Sequence, residues 1–495
     1  MSAVALAAIV LAAVAAALRW LRVAQREHYL AGSATRFAMR WWFGQNQNRL
    51  LGVAVLVGLV GAATGSPIGA VISAVAVLIG PFGLSLFGKA PGPVAWTRRL
   101  RTLAAVYVVL LAAVLGIGAA VGEVVIAGVI AAAFTPLLVD AACALTKPVE
   151  DRLAERFVAQ ATRRLASVHP TTVAITGSYG KTTTKGYVAH LLSGTKTVVA
   201  SPRSFNNRAG LARAVNENLV PGTQVFVAEM GTYGKGEIAE LCAWVKPRVG
   251  VITAIGPVHL ERFGSEDRIL EAKAEIVADT ELAILNVDDE RLRKLADRLK
   301  AEGRRVVRCS ATDTTADVCT ARDAIGAPSH APPTNVACAV AVALALNVPH
   351  DEVLRRLPTL PVAPNRLTVT TGQTGVTVLD DTFNSNPAGA KLALGQLRRH
   401  ADEGHQRVVV TPGMIELGNL QDEANRAFAE AVVTYADRLV VVGYTNRRAL
   451  VDGAKKQREA IVCVEDRDEA VAWVRQHLGP GDAVLYENDL PDHYP

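Results

Sequence analysis

The stretch "GSYGKTTT", residues 177–184, joins a β-branched run, "TTVAIT", to a segment of helical periodicity, "KGYVAHLL". A strand, a glycine turn and a helix in that order make a phosphate cradle. Backbone N–H groups and the helix N-terminus face the anion, Lys181 adds positive charge, and the Thr182 hydroxyl can hold Mg2+. The spacing is shorter than the usual G-x-x-x-x-G-K-[ST] because position 175 is Ile, which leaves T-G-x-x-G-K-T-T. The cradle residues are Gly177, Ser178, Tyr179, Gly180, Lys181, Thr182 and Thr183.

Polar groups that could work with such a cradle follow at strand ends. "VFVAEMGTYGKGEI" places Glu229 at the end of an apolar run, where a metal-holding acid would sit. "VGVITAIGPVHLERFGS" does the same for His259, and Lys273 follows in "EAKAEI". Parallel strands deliver such groups to one edge of a sheet. Taken alone, Lys273 reads as a surface lysine paired with a neighbouring acid, and Asp380 in "VLDDTFNSNP" as a turn residue. No serine lies in a nucleophile-elbow context.

The elements needed to hold these groups are those of an α/β protein. Past the proline-rich "LPTLPVAP", the runs "GVTVLD", "RVVVTPG", "RLVVVG" and "DAVLY" alternate with helical stretches and predict a second doubly wound sheet from about residue 362. The first 146 residues differ in kind, being dominated by Ala, Val, Leu, Ile and Gly. Apolar stretches at 2–18, 50–64, 67–88, 102–121 and 124–145 approach the ~20 residues that cross a bilayer as helix. The segments after the first and third are basic (Arg19, Arg22, Arg26, Arg36, Arg40, Arg49; Lys89, Arg98, Arg99, Arg101).

Basic loops stay in the cytoplasm, so five spans, an outer N-terminus and a cytoplasmic remainder are expected. A cleaved signal peptide is disfavoured because the basic residues follow the first apolar run. Trp41, Trp42 and Trp96 read as interfacial anchors, and Asp140 as a residue solvated near the cytoplasmic end. Residues 148–168 predict a helix with Leu153, Phe157, Ala161 and Leu165 on its apolar face, lying on the membrane or on the next domain. The expected organisation is a helical transmembrane region at 1–146, a linker helix at 147–169, and two α/β domains at 170–361 and 362–495.

The net charge of +6 is carried in part by arginines between apolar segments, so no nucleic-acid partner is expected. Six cysteines without C-x-x-C spacing argue against a disulfide framework or a zinc ribbon and suit a reducing compartment.

With these motifs in this order, residues 170 to 490 resemble the Mur ligase family, ATP-dependent amide ligases that build the peptide of peptidoglycan. "AEMGTYGKGEI", "HLERFGSEDRILEAKAEI", "DDTFNSNP" and "PGMIELG" stand in the order of its MurF branch. The resemblance implies a central P-loop ATPase domain, a Rossmann-like C-terminal domain, and ATP and Mg2+ as cofactors. It implies that Lys181 and Thr182 hold the phosphates and a first Mg2+, that Glu229 and His259 serve metal sites, and that Lys273 is carbamylated. A carbamate is an anion able to bind or orient Mg2+ where an ammonium would repel it.

Arg366 in "APNRLTV" matches an arginine that reaches back to the phosphates, and with Lys181, His259 and Lys273 completes the implied catalytic set. Asp381 matches the acid on the ribose, with Asn384 and Asn386 on the same nucleotide-facing loop. Asn335 matches the first asparagine of an N-x-x-N helix start near the adenine; Cys338 replaces the second.

Two regions depart from the family pattern. The apolar segments replace a domain that grips UDP, and "VLYENDLPDHYP" stands where a K-G-S-type turn and a further helix are usual. The implied acceptor is therefore a carboxylate-bearing precursor held at the membrane, such as a lipid-linked one, with an amino acid or dipeptide as amine. Membrane lipid is then a partner, and the chain is a multi-pass cell-membrane protein with cytoplasmic catalytic domains. A polyglutamate- or capsule-type amide ligase and a non-catalytic scaffold of the same fold stay open as alternatives.

Overall fold

The structure is a computed structural model that describes residues 2–86, 94–324, 326–362, 367–372, 374–383, 385–401, 404–491 and 493–495. An N-terminal bundle comprises α1 (Ser2–Arg26), α2 (Ser33–Gly44), α3 (Asn46–Ala63), α4 (Pro67–Ile79), α5 (Arg98–Ala120), α6 (Val124–Ala133) and α7 (Thr135–Val168). Small residues let its helices approach closely: Ala5, Ala12 and Ala16 of α1 and Ala70 and Ala74 of α4 are buried together. Between α3 and α4 a Cβ on Gly69 would lie 2.6 Å from the Ala62 nitrogen, so only glycine fits there.

The five expected spans reduce on length. Among the described residues α1 and α5 alone are long and apolar enough to cross a membrane, and the pair α6 and α7, bent by 76°, makes a third at most. α4 has 13 residues and reaches only about 20 Å, short of the ~30 Å of hydrocarbon. α3 spends its first turn on Asn46, Gln47, Asn48 and Arg49. The two form a short hairpin instead.

α4 stops at Ile79, ahead of Gly80 and Pro81, which cannot continue a helix, and its last carbonyls have a distant partner. The buried Arg19 guanidinium of α1 donates to the carbonyls of Leu78 and Gly80 at 2.9 Å, of Leu84 at 3.2 Å and of Val77 at 3.3 Å. An arginine fork at a helix C-terminus satisfies orphan acceptors and opposes the helix dipole. Asp140 is likewise not simply solvated. It is buried, and its carboxylate accepts from the Ala34 and Thr35 nitrogens at 3.1 and 2.9 Å, capping α2, whose own N-cap Gly32 has no side chain. Trp41 is no free interfacial anchor, being buried with its indole N–H 2.9 Å from the His493 carbonyl, whereas Trp96 is exposed.

The fifth apolar stretch bends between α6 and α7, and α7 then runs through Pro148 to Val168, so the bundle joins the rest by continuous helix. Its second half buries Ala161 and Leu165 against the next unit, while Phe157 stays exposed.

That unit is a seven-stranded parallel sheet in the order β2-β3-β1-β4-β5-β6-β7. Its strands are β1 (Thr171–Thr176), β2 (Val198–Ala200), β3 (Val225–Glu229), β4 (Val249–Ile252), β5 (Leu282–Asn286), β6 (Val306–Ser310) and β7 (Val318–Cys319). Strands such as "VGVI" are apolar throughout because helices cover both faces. The covering helices are α8 (Lys181–Leu192), α9 (Arg208–Asn218), α10 (Glu237–Val245), α11 (Leu260–Phe263), α12 (Glu266–Ala274), α13 (Glu290–Ala301), α14 (Thr320–Asp323), α15 (Pro333–Ala345) and α16 (His350–Arg356).

A second sheet has six strands in the order β12-β11-β10-β13-β9-β8, parallel except for β8. It is built of β8 (Thr368–Thr371), β9 (Thr377–Asp381), β10 (Arg407–Thr411), β11 (Arg438–Val442), β12 (Ile461–Val464) and β13 (Ala483–Glu487). The helices α17 (Pro387–His400), α18 (Gln421–Tyr435), α19 (Arg447–Gly453) and α20 (Arg467–His477) separate the strands. Its apolar cores lie on both faces, as a doubly wound sheet requires.

Candidate active site

Register explains why the phosphate loop meets acids. β1 lies between β3 and β4, with Ile175 opposite Glu229 and Thr176 opposite Ile252. The loop after β1 therefore opens beside the end of β3 and beside the chain leaving β4. Gly177 and Gly180 take φ of +153° and +78°, and a Cβ on Gly177 would meet the Thr253 hydroxyl at 2.0 Å. The Ser178 hydroxyl accepts from the Gly256 nitrogen and the Ser178 amide donates to the Ala254 carbonyl at 2.8 Å, tying the loop to the β4 exit. Tyr179 lies over Gly256, where a side chain would collide with its ring.

Lys181 opens α8 and donates to the Gly177 carbonyl at 2.6 Å. Thr183 is buried one residue past Thr182. The Thr182 hydroxyl donates to the Glu229 carboxylate at 3.0 Å, and Lys185 and Asn206 hold the same carboxylate at 2.9 and 3.2 Å. Burial works to raise the Glu229 pKa, but the Lys185 and Lys181 ammonium charges outweigh it and keep the group below the ordinary carboxylate value.

Lys273 is not the surface lysine its local sequence suggests. It is 3% exposed, and among the described residues no acid pairs with it. Its neighbours look elsewhere: Glu271 pairs with Lys235 at 3.3 Å, and Glu275 accepts from the Gly236 and Ala239 nitrogens. Burial, with the Lys181 charge adding to it, pushes the amine well below the ordinary lysine pKa. A neutral amine beside a phosphate loop is the form that captures CO2.

His259 takes a left-handed backbone, φ 59°, and its Nδ1 bonds the Glu416 carboxylate of the second sheet unit. Tyr233 packs against its ring edge-on at 4.9 Å between centroids. Asn335 opens α15 beside the phosphate loop, where its side chain fills the space a Cβ on Gly180 would need. Cys338 turns the other way, into the core, where its free thiol lies beside that of Cys309 and cannot read a base.

In the second sheet Asp381 stands opposite Glu487, and its carboxylate accepts from the Leu367 nitrogen at 3.1 Å. Asp380 is not itself a turn residue but lies in β9, and its side chain accepts from Thr382 just past the strand end. Asn386 does not face a ligand with its oxygen, which caps α17 through the Gly389 nitrogen at 2.9 Å. Arg366 and Asn384 lie outside the described residues.

Sequence reasoning did not single out Lys185, Asn206, Tyr233, Glu416 or Glu487. Lys185 carried a signal: it follows Lys181 by one helical turn and so shares its face.

The Mur ligase middle domain matches residues 175–330, and the Mur ligase glutamate ligase domain matches residues 365–486. A Mycobacterium tuberculosis protein, UDP-N-acetylmuramoyl-tripeptide–D-alanyl-D-alanine ligase, is 35% identical over 364 residues, covering 64% of this chain and 69% of its own. The chain belongs to the Mur ligase family. Mur ligases are ATP-dependent acid–amino acid ligases that use Mg2+, and so is this one. The MurF ligase of Thermotoga maritima in complex with ADP is 25% identical with a TM-score of 0.57, covering 68% of this Mur ligase and 80% of that chain. MurF from Acinetobacter baumannii, 24% identical, shares its fold with a TM-score of 0.58 over 68% and 77% of the two chains.

The residues present fit ATP and Mg2+. A lysine at a helix start, two glycines with positive φ, and a threonine hydroxyl on an ionised, buried carboxylate make a phosphate and metal cradle. No cluster of three or more His, Cys, Asp or Glu exists among the described residues that would hold an ion alone. That suits Mg2+, which keeps waters and phosphate oxygens as ligands.

Proposed function

We propose that this Mur ligase is a MurF-like enzyme of cell-wall peptide synthesis, held in the cell membrane, that extends a membrane-held, lipid-linked precursor by an amino acid or dipeptide. One observation carries the membrane-held acceptor. The end of α1, an apolar helix long enough to cross a bilayer, touches the catalytic edge directly: Glu27 pairs with Arg262 at 3.1 Å, three residues from His259. A substrate displayed at the bilayer surface would arrive at that edge. The bundle stands in place of a domain for a soluble nucleotide carrier.

The acceptor carboxylate attacks the γ-phosphorus of ATP, ADP leaves, and an acyl phosphate forms. The amine then attacks the acyl carbon, phosphate departs with the C–O bonding pair, and the nitrogen loses a proton. Lys181 and the phosphate-loop amides bind the triphosphate, and Arg366 adds a further positive charge for it. Thr182 and Glu229 would hold a first Mg2+, and His259 and a carbamylated Lys273 would serve a second site. Bound Mg2+ supplies the charge neutralisation that lets one anion attack another. Asp381, Asn384 and Asn335 position the nucleotide, Asp381 from the second sheet and Asn335 from α15. The chain's own contribution is placement and fixed charge, with no covalent side chain.

The test is ATP-dependent phosphate release from full-length protein in lipid vesicles, with lipid-linked and UDP-linked precursors and a panel of amines, the product identified by mass. Release with the lipid-linked acceptor alone is expected, and its loss in Lys181→Ala. Equal use of the UDP-linked precursor would reduce the helices to an anchor. A polyglutamate- or capsule-type ligase would instead show glutamate as the amine.

A further inference from the structure

The geometry points to the N-terminal bundle as the third wall of the reaction centre, with Glu27 and His28 as positioning residues for His259 and Glu416. This rests on the reading of His259 as part of that centre.

Glu27 follows the last residue of α1 and is buried. Its carboxylate takes His493 Nε2 on one oxygen at 3.0 Å, and the guanidinium groups of Arg262 and Arg36 on the other at 3.1 and 3.4 Å. Arg262 also reaches Glu416 at 3.8 Å, and Glu416 bonds His259. One carboxylate of the bundle thus joins α11 and the chain's last segment, and through Arg262 the loop after β10. His28 meets one side of this arrangement through Tyr233, with ring centroids 6.1 Å apart. Tyr233 in turn packs against His259 and lies under the Arg262 guanidinium at 4.5 Å.

A second observation is independent of these contacts. His28, His259 and Glu416 all have left-handed backbone, at φ of 57°, 59° and 63°. Non-glycine residues rarely adopt it, and such conformations persist where surrounding structure imposes them, commonly at functional sites. Here they converge from three distant parts of the chain on one cluster. Further contacts keep the bundle in place: Arg40 donates to Glu261 at 2.6 Å, and Phe37 packs edge-on against Tyr494 at 4.8 Å. The final segment, which departs from the family pattern, is thereby used to hold the bundle to the second sheet unit.

The test uses the full chain in lipid nanodiscs and reads amide hydrogen exchange together with phosphate release. Glu27→Gln should speed exchange in residues 256–263 and 412–418 by about fivefold or more while leaving 171–184 unchanged. It should lower kcat by about tenfold with the KM for ATP within twofold, and Glu27→Asp should recover part of the loss. Glu27→Gln and Glu416→Gln should not add, since they break one network. His28→Phe, which keeps a ring against Tyr233, should lose less activity than His28→Ala. Lys147→Gln, which breaks an exposed pair with Asp151 on α7, is the control and should change none of these. Unchanged exchange at 256–263 and 412–418 in Glu27→Gln would overturn the inference. If the wild type releases no phosphate with any acceptor, the functional reading fails, and the exchange result still decides this one.

Discussion

Lys185 and Glu229 form an ion pair of 2.9 Å from which solvent is nearly excluded, their side chains being 7% and 4% exposed. Charges removed from water need complete partners. Glu229 has them, since Thr182 and Asn206 complete its shell. The pair thus fixes the carboxylate against the phosphate-loop hydroxyl before any ligand enters.

Removing one member leaves the other buried and unpaired. Lys185→Met is expected to cost about 3–5 kcal/mol in urea unfolding of the full chain. The double variant Lys185→Met/Glu229→Leu should regain much of that stability while staying inactive. Equal stability of the single and double variants would show that the pair does not hold Glu229.

Lys273 predicts a trade of stability for function. Between its depressed folded pKa and the ordinary lysine value of 10.5, the unfolded chain binds a proton that the folded chain does not. Stability therefore rises with pH across that window, by about 1.4 kcal/mol per unit for one such group. Lys273→Met should flatten that slope and raise stability at pH 7 by about 1 kcal/mol, as replacement of a destabilised site residue commonly does. It should also abolish phosphate release. A carbon-13 carbamate signal present in wild type under labelled CO2 and absent in Lys273→Met would identify the modification.

Acid should loosen the bundle from the two sheet units. For Glu27 burial raises the pKa, but the His493 hydrogen bond and charge and the Arg262 charge overcome it; for Glu416 the His259 hydrogen bond and charge do the same. Both folded values lie below the ordinary 4.5, so the unfolded chain binds more protons through that window. Their stabilisation is complete above pH 4.5 and is lost as pH falls through the folded values. Thermal midpoints should hold level from pH 7 to 5 and then drop, and Glu27→Gln should drop less steeply.

Two polar residues inside the bundle should be structural. Asp140→Ala removes the cap of α2 and is expected to cost about 1–2 kcal/mol. Arg19→Leu strips the partner from the α4 carbonyls and should cost more, roughly 1–3 kcal/mol for each acceptor left without a bond. Arg19→Lys cannot restore the loss, because an ammonium lacks the planar fork. Melting of the full chain in detergent measures all three.

The phosphate loop was legible because its signal is local: strand, glycines, lysine and helix start lie within about a dozen residues. Glu229, His259 and Lys273 were legible as strand-end or motif positions. Local reading failed where a residue's meaning depends on a distant partner. Lys273 looks like one of a charged helix's surface lysines, yet it is buried. Asp140 looks like a solvated acid near a helix end, yet it caps a helix 105 residues earlier. The 67–88 stretch is apolar throughout, yet α4 ends at Ile79, where Arg19 takes over its carbonyls.

By itself the sequence determined the element types, the apolar character of the first part and the strand, glycine loop and helix of the candidate phosphate cradle, because periodicity and turn chemistry are properties of neighbouring residues. Only the tertiary structure decided which charges meet. Glu27 and His493 are 466 residues apart, and neither carries any local sign of the other. Whether a buried carboxylate is a cap, a metal holder or the joint between three parts of a chain depends on what folding sets beside it. Those partners are drawn from the whole sequence, where burial strengthens a paired charge and penalises an unpaired one.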